Sequence, residues 1–161
     1  MIGVEEAIRR YGPGLARTAS SYERNPALRE ELLQDIYLAL LTALPRVREA
    51  DRVRAYVFKV AHHRCVSHVM RRMREPATSD EDVSRPSDAP SQEEAMIDGE
   101  RTTSLMEAVR ALPLPYRQVI TLFLEDLSYR EIADILGLTE SNVGVRVNRA
   151  KRQLKEMLDH G

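Results

Sequence analysis

The chain has 161 residues, with 24 Lys and Arg against 25 Asp and Glu, one Cys and no Trp. That length allows one domain or two small ones, and a single Cys excludes an internal disulfide and makes a reducing compartment the default. The opening MIGVEEAIRRYG has no apolar run long enough for a signal peptide or membrane span, so a soluble, cytoplasmic, largely helical protein is expected.

The near-zero net charge hides a pattern. Residues 1–75 hold 14 Lys and Arg against 9 Asp and Glu, residues 76–104 hold 2 against 8, and residues 105–161 hold 8 against 8. Two parts with basic patches are joined by an acidic segment, and nucleic acid is the natural partner of such patches. Charge alone leaves open that the Arg-rich helices are merely solvated faces.

Glu5–Ser21 reads as a loose amphipathic stretch interrupted by Gly12-Pro13-Gly14. From about Ala27 to Leu44, Leu32, Leu33, Ile36, Tyr37, Leu40 and Leu44 recur at helical spacing and predict a core stripe. Pro26 sits near the start, and Pro45 ends the helix. Gln34, Leu38 and Leu41 form a different side, flanked by Glu30, Glu31 and Asp35. Exposed Leu among acids suits a partner helix, but Leu38 and Leu41 could equally fill a bundle core. After the loop RVREADR, a third helix is predicted from about Val53 to Arg74, with Val53, Val57, Val60, Ala61, Cys65 and Val69 in one apolar sector. Tyr56, Lys59, His63, Ser67 and Arg74 fall on the opposite side. An aromatic among cations and hydrogen-bonding groups there fits single-stranded DNA.

Pro76 ends that helix. The segment PATSDEDVSRPSDAPSQEE has three Pro, many Ser and Asp and almost no large apolar residue, so it reads as a flexible linker. A final block opens near Thr103, with a helix of about Tyr116–Leu124. In LSYREIADILGLTESNVGVRVNRAKRQL, Ser128 and Glu131 form a capping box. Gly137 is the left-handed residue expected after a helix. Thr139 caps the next helix, with Glu140 in its first turn. Val143, Val147, Ala150 and Leu154 make its buried seam, leaving Asn142, Arg146, Asn148, Arg149, Lys151 and Arg152 outward. Ser141–Lys155 carries five cations and no acid. This is a helix-turn-helix pattern, whose second helix enters the major groove, where Arg can bond guanine and Asn adenine.

His62, His63, His68 and Cys65 do not converge on one face, so no metal is expected, and Cys65 is assigned to the core. No P-loop, dinucleotide fingerprint or nucleophile motif occurs, so neither an enzyme nor a cofactor is expected.

Two segments together resemble a known family. REELLQDIYLALLTALPRVREADRVRAYVFKVAHHRCVSHVMRRMR is similar to region 2 of bacterial sigma factors, and LSYREIADILGL…RVNRAKRQL to region 4.2. Their order, the linker and the small size resemble the extracytoplasmic-function group of the sigma-70 family. That resemblance implies an all-α protein of two small helical domains, residues 1–75 and 105–161, joined by an acidic linker over 76–104. It implies that Glu31, Gln34, Asp35, Leu38 and Leu41 grip core RNA polymerase. The loop Arg46–Arg52, including Val47 and Arg48, with Tyr56, Lys59, His63 and Ser67, would hold the melted −10 element. Thr139, Ser141, Asn142, Arg146, Asn148, Arg149, Lys151 and Arg152 would serve the −35 element. Core polymerase, promoter DNA and an anti-sigma protein are the implied partners. The DNA-reading positions depart from the family's pattern. Val47 stands where an aromatic is frequent, Tyr56 replaces a frequent Trp, and His63 and Ser67 replace frequent Asn and Asp/Asn. Gly144 and Val145 replace Lys/Arg and Ser. A stand-alone helix-turn-helix regulator, or a sigma-like decoy that opens no DNA, are the alternatives. A compact, inhibited arrangement with both basic faces folded onto the acidic linker is a further expectation.

Overall fold

The computed structural model describes residues 3–44, 52–75 and 104–160, which are helical with no strand among them. The helices are α1 (Val4–Tyr22), α2 (Pro26–Ala43), α3 (Val53–Arg74), α4 (104–111), α5 (Leu114–Leu124), α6 (Tyr129–Leu136) and α7 (Glu140–His160). No described helix is long and apolar enough to cross a membrane. Helices α1–α3 form one small domain and α4–α7 a second, and α1 packs against both.

Helix α1 runs unbroken through Gly12-Pro13-Gly14, which corrects the expected interruption. Pro13 is exposed while Gly14 and Leu15 are buried. The carbonyl that Pro13 leaves without a donor belongs to exposed Arg9, on the wet side of the helix, where hydration compensates. The buried hydroxyls of Thr18 and Ser21 donate to the carbonyls of Gly14 and Arg17, at 2.8 and 3.0 Å. Helix α2 starts as the sequence predicts. The Asn25 side chain accepts from the amides of Ala27 and Leu28, and Pro26 occupies the first turn, where no amide is needed. Leu32, Ile36, Leu40 and Leu44 are buried, and Leu33 and Tyr37 pack on the core's edge. Helix α3 has the predicted bounds, and its core includes Phe58, His62 and His68 besides the expected Val53, Val57, Ala61 and Cys65. Val60 and Val69 are only partly buried.

A buried polar knot joins the ends of α1 and α3. Glu23 Oε1 lies 2.6 Å from His68 Nε2 and 3.0 Å from Arg72 Nε, while Oε2 accepts from the Asn25 amide at 2.9 Å. Burial by itself raises the Glu23 pKa, but these partners outweigh it and hold the carboxyl below its usual range.

The second domain begins with a helix over 104–111 that the sequence reading passes over, followed by α5, which starts two residues earlier than expected. It docks on α1 through polar contacts. Arg17 donates to Glu125 from Nε (2.8 Å) and Nη2 (2.9 Å), a two-pronged ion pair. Arg110 donates to the Ser20 carbonyl at 2.6 Å and to its hydroxyl at 3.1 Å. The Tyr22 hydroxyl meets Thr121 Oγ1 at 3.4 Å, and the Arg117 guanidinium lies 5.6 Å from the Tyr22 ring centre. From α3, Arg54 donates to the Asp126 carbonyl at 3.0 Å. Gly14 makes this close approach possible, since a Cβ there would stand 2.6 Å from Glu125 Oε1 and 2.9 Å from Phe58 Cζ. The compact arrangement therefore forms by direct domain-to-domain contact. The linker expected to mediate it lies outside the described residues.

Replacing both Arg17 and Arg110 by Ala removes the main charged contacts of this interface. The expected result is a longer maximum dimension in small-angle scattering, with helix content by circular dichroism unchanged. An unaltered scattering profile would mean that other contacts hold the domains together.

Candidate nucleic-acid interface

The helix-turn-helix is built as its local signals require. Ser128 Oγ accepts from the Glu131 amide at 3.1 Å, and Glu131 Oε1 accepts from the Ser128 amide at 2.8 Å, completing the capping box. Gly137 ends α6 in the left-handed conformation, with φ 70°. Thr139 Oγ1 accepts from the Asn142 amide at 3.1 Å and starts α7. Ile132, Ala133 and Ile135 of α6 meet Val143, Val147, Ala150 and Leu154 of α7 in the core. This seam fixes which side of α7 faces out.

Thr139, Ser141, Asn142, Asn148, Arg149, Lys151 and Arg152 are exposed and Arg146 is half-buried, so all eight candidates lie clear of the seam. Lys151 Nζ sits 4.3 Å from the centre of the Phe123 ring, an attraction that fixes its ammonium at the domain surface. Val145 is also exposed, at 44%.

In the first domain, Glu31, Gln34, Leu38 and Leu41 are exposed and Asp35 is partly so. Leu38 and Leu41 are 62% and 53% exposed, which removes them from the bundle core that they could have filled. Asp35 Oδ1 lies 3.7 Å from Arg64 Nη1 of α3. Between α2 and α3 runs a groove of about 590 Å³ lined by Asp35, Leu38, Ala39, Thr42, Ala43, Tyr56, Val60, His63, Arg64 and Ser67. It brings the second part of the α2 candidate set next to three of the α3 candidates. Lys59 faces elsewhere. Together with Tyr56 it lines a cleft of about 460 Å³ that is closed on the other side by Arg130, Glu131, Asp134 and Ile135 of α6. Val47 and Arg48 lie outside the described residues.

The sequence reading misses Arg54 and Arg130. Arg54 reaches across to the α5–α6 turn and Arg130 lines the cleft, and both placements depend on the docking of two domains, which periodicity does not encode. It also misses the state of the histidines. His62 is buried with Nδ1 unpartnered, and burial first, then neighbouring His63, pushes its pKa down to about 4. His63 is lowered by partial burial and by Lys59. Burial pushes the Cys65 thiol well up, so it stays protonated and unreactive. Among the described residues no group of His, Cys, Asp and Glu is placed to hold a metal ion.

Two family models match this architecture: Sigma-70 region 2 over residues 7–75 and Sigma-70, region 4 over residues 102–154. The chain belongs to the sigma-70 family. It is an RNA polymerase sigma factor of the extracytoplasmic-function group. This sigma factor is 29% identical over 136 residues to the ECF RNA polymerase sigma factor ShbA of Streptomyces griseus, covering 81% of this chain and 71% of that protein. It is 24% identical over 159 residues to the ECF sigma factor SigM of Bacillus subtilis, covering 98% and 96%. Its fold is similar to the sigma factor RpoE of Bartonella quintana, solved in complex with the anti-sigma factor NepR, with a TM-score of 0.72 at 21% identity over 96% of each chain. It is also similar to CnrH, solved with the cytosolic domain of CnrY, with a TM-score of 0.67 at 22% identity over 98% of this chain and 88% of that one.

The buried neutral His62 gives a pH prediction. Its folded pKa lies below its ordinary 6.5, so the unfolded chain binds a proton that the folded chain does not. Its contribution is present above pH 6.5 and is lost as pH falls towards 4. His62→Leu is expected to cancel a loss on the order of 2 kcal/mol between pH 7 and pH 5, read from urea unfolding of both proteins at the two pH values. Equal pH slopes for the two would show that His62 does not carry the effect.

Proposed function

We propose that residues 1–75 of this sigma factor grip core RNA polymerase and hold the melted −10 element, while residues 105–161 hold the duplex −35 element. Residues 76–104 connect them. The observation that carries the first assignment is the pair Leu38 and Leu41. Two large apolar side chains stand in solvent on α2 although Leu32, Ile36 and Leu40 already complete the core beneath. Glu31, Gln34 and Asp35 surround them. That mixture suits a helical partner surface carrying complementary cations.

Tyr56, His63 and Ser67 would then receive an unpaired base in the adjoining groove, with Lys59 and Arg48 on phosphates and Val47 beside the displaced strand. Stacking on an aromatic contributes about 1–3 kcal/mol per base and offsets part of the melting cost. In α7, Asn142, Arg146 and Arg149 would address base edges. Thr139, Ser141, Asn148, Lys151 and Arg152 would address phosphates, which fix register without reading sequence. Bond-making belongs to the polymerase, so this chain acts by address and strand capture rather than as an enzyme, and it works in the cytoplasm with the polymerase.

The closed arrangement is the resting state in this reading. Tyr56 and Lys59 face Glu131 and Asp134 of α6 across the cleft, and these carboxylates stand where a DNA strand would repel them. Engagement with polymerase then requires the two domains to part. An anti-sigma protein is the expected antagonist, and it would act by holding them together.

The test is in vitro transcription with purified chain, core polymerase and sheared genomic DNA, followed by sequencing of transcript 5′ ends. Discrete starts sharing two upstream elements are expected. Leu38→Asp with Leu41→Asp should leave stability within about 0.5 kcal/mol, as for exposed sites, yet weaken core binding at least about tenfold, as loss of apolar anchors does. Firm core binding without any starts would replace this reading with that of a decoy. No core binding would leave a stand-alone DNA binder.

A further inference from the structure

We propose that Val145 reads the methyl group of a thymine in the −35 element, so that this sigma factor prefers a T·A pair opposite that side chain. The inference rests on the assignment of α7 to the −35 duplex.

Val145 is the sixth residue of α7, in the half of a recognition helix whose side chains reach base edges. It is 44% exposed, while Val143, Val147 and Ala150 on either side of it in sequence are fully buried and fill the seam with α6. Nearly half of its surface thus stays in water, outside the seam that those residues fill. Valine is also a poor choice for an exposed helix position, because its branched Cβ restricts the rotamers open to it. Around it stand Ser141, Asn142 and Arg149, all exposed and one turn away. Val145 is thus an apolar point set among groups suited to bases and phosphates.

Its neighbour Gly144 leaves the surface beside it low. A Cβ at Gly144 would meet only the Tyr129 ring, at 3.4 Å. Helix α7 tolerates this glycine at a cost of about 1 kcal/mol relative to Ala. The glycine gives room to the Tyr129 ring at the start of α6.

The chemistry of the groove then selects the base. Thymine alone presents an apolar group in the major groove, its C5 methyl. Val145 has no donor or acceptor. Cytosine opposite it would bury an amino group, and guanine two acceptors, with nothing to replace their water. The same side chain therefore favours thymine and disfavours the G·C pairs.

The test uses holoenzyme reconstituted from the full chain and core polymerase, on a promoter found by 5′-end sequencing. Each thymine of the upstream element, on either strand, is replaced singly by deoxyuridine, which pairs identically and lacks only the methyl. At one position, transcript yield at limiting holoenzyme should fall about four-fold, the worth of one buried methyl. Val145→Ala, a better helix former, should give about that loss on the unmodified promoter and show no further loss with deoxyuridine. Placing 5-methylcytosine at that position should be tolerated better than cytosine by the wild type only. If base changes in the element matter but no single deoxyuridine does, the −35 assignment stands and the Val145 contact is refuted. A deoxyuridine penalty that persists in full in Val145→Ala refutes it as well. If transcription ignores the upstream element altogether, the −35 assignment and the contact fall together.

Discussion

The two domains of the molecule meet most closely at one bare point of backbone. At Gly14, α1 offers no side chain, and Phe58 from one domain and Glu125 from the other both approach the same point. Helix α1 is consequently a wall common to both domains. Its Ala7, Leu15 and Ala19 are buried in the core, while Arg17, Ser20, Ser21 and Tyr22 supply the partners for the second domain. The two sides differ in chemistry. The α1–α3 packing is apolar and sealed at one end by the Glu23–His68–Arg72 knot. The contact with α4 and α5 combines one ion pair and several hydrogen bonds with burial of Tyr22 and Met106, and the apolar residues of the two domains form one continuous core. Arg17 remains 57% exposed while paired with Glu125, and such pairs contribute at most about 1 kcal/mol. The exposed ion pair therefore adds little to this contact beside the buried Tyr22 and Met106.

Leu38, Leu41 and Val145 are among seven large apolar side chains left exposed among the described residues, the others being Met70, Met73, Leu124 and Leu158. Their solvent exposure is a small standing cost that packing could have removed. The cations of α7 are handled similarly. Lys151 is steered by the Phe123 ring rather than by a carboxylate, so its charge is oriented without being neutralised.

Much of this was legible in the sequence because the signals are local. Pro26 at a helix start, the Ser128–Glu131 box, Gly137 and the Thr139 cap each involve residues within one helical turn, and the structure has each of them, as it has the Val53–Arg74 span. The period of the apolar residues gave the seam of α7 and most of that of α2. Four features escaped. Gly12-Pro13-Gly14 carries the strongest local breaking signal in the chain, yet tertiary packing overrides it because Pro13 faces solvent. The helix over 104–111 borders a polar segment that dilutes its period. The Arg17–Glu125 and Arg54–Asp126 contacts join residues separated by 108 and 72 positions, and no spacing rule reaches that far. His62 and His68 look polar in sequence and are buried in the structure, one neutral and the other matched by Glu23.

The same few residues of α1 also set how mechanical load would pass through the molecule. The chain leaves the first domain just after Arg72, which is tied to Glu23, and enters the second just before Met106 and Arg110, which touch Ser21 and Ser20. Both ends of the connecting segment are thus moored within a four-residue stretch of one helix. Pulling the domains apart loads the two moorings unequally. The buried, charge-matched knot at Glu23 resists, and the surface contacts of Arg110 give way first. Because Arg54 of α3 also reaches Asp126, parting the domains uncovers the side of α3 that carries Tyr56 and Lys59.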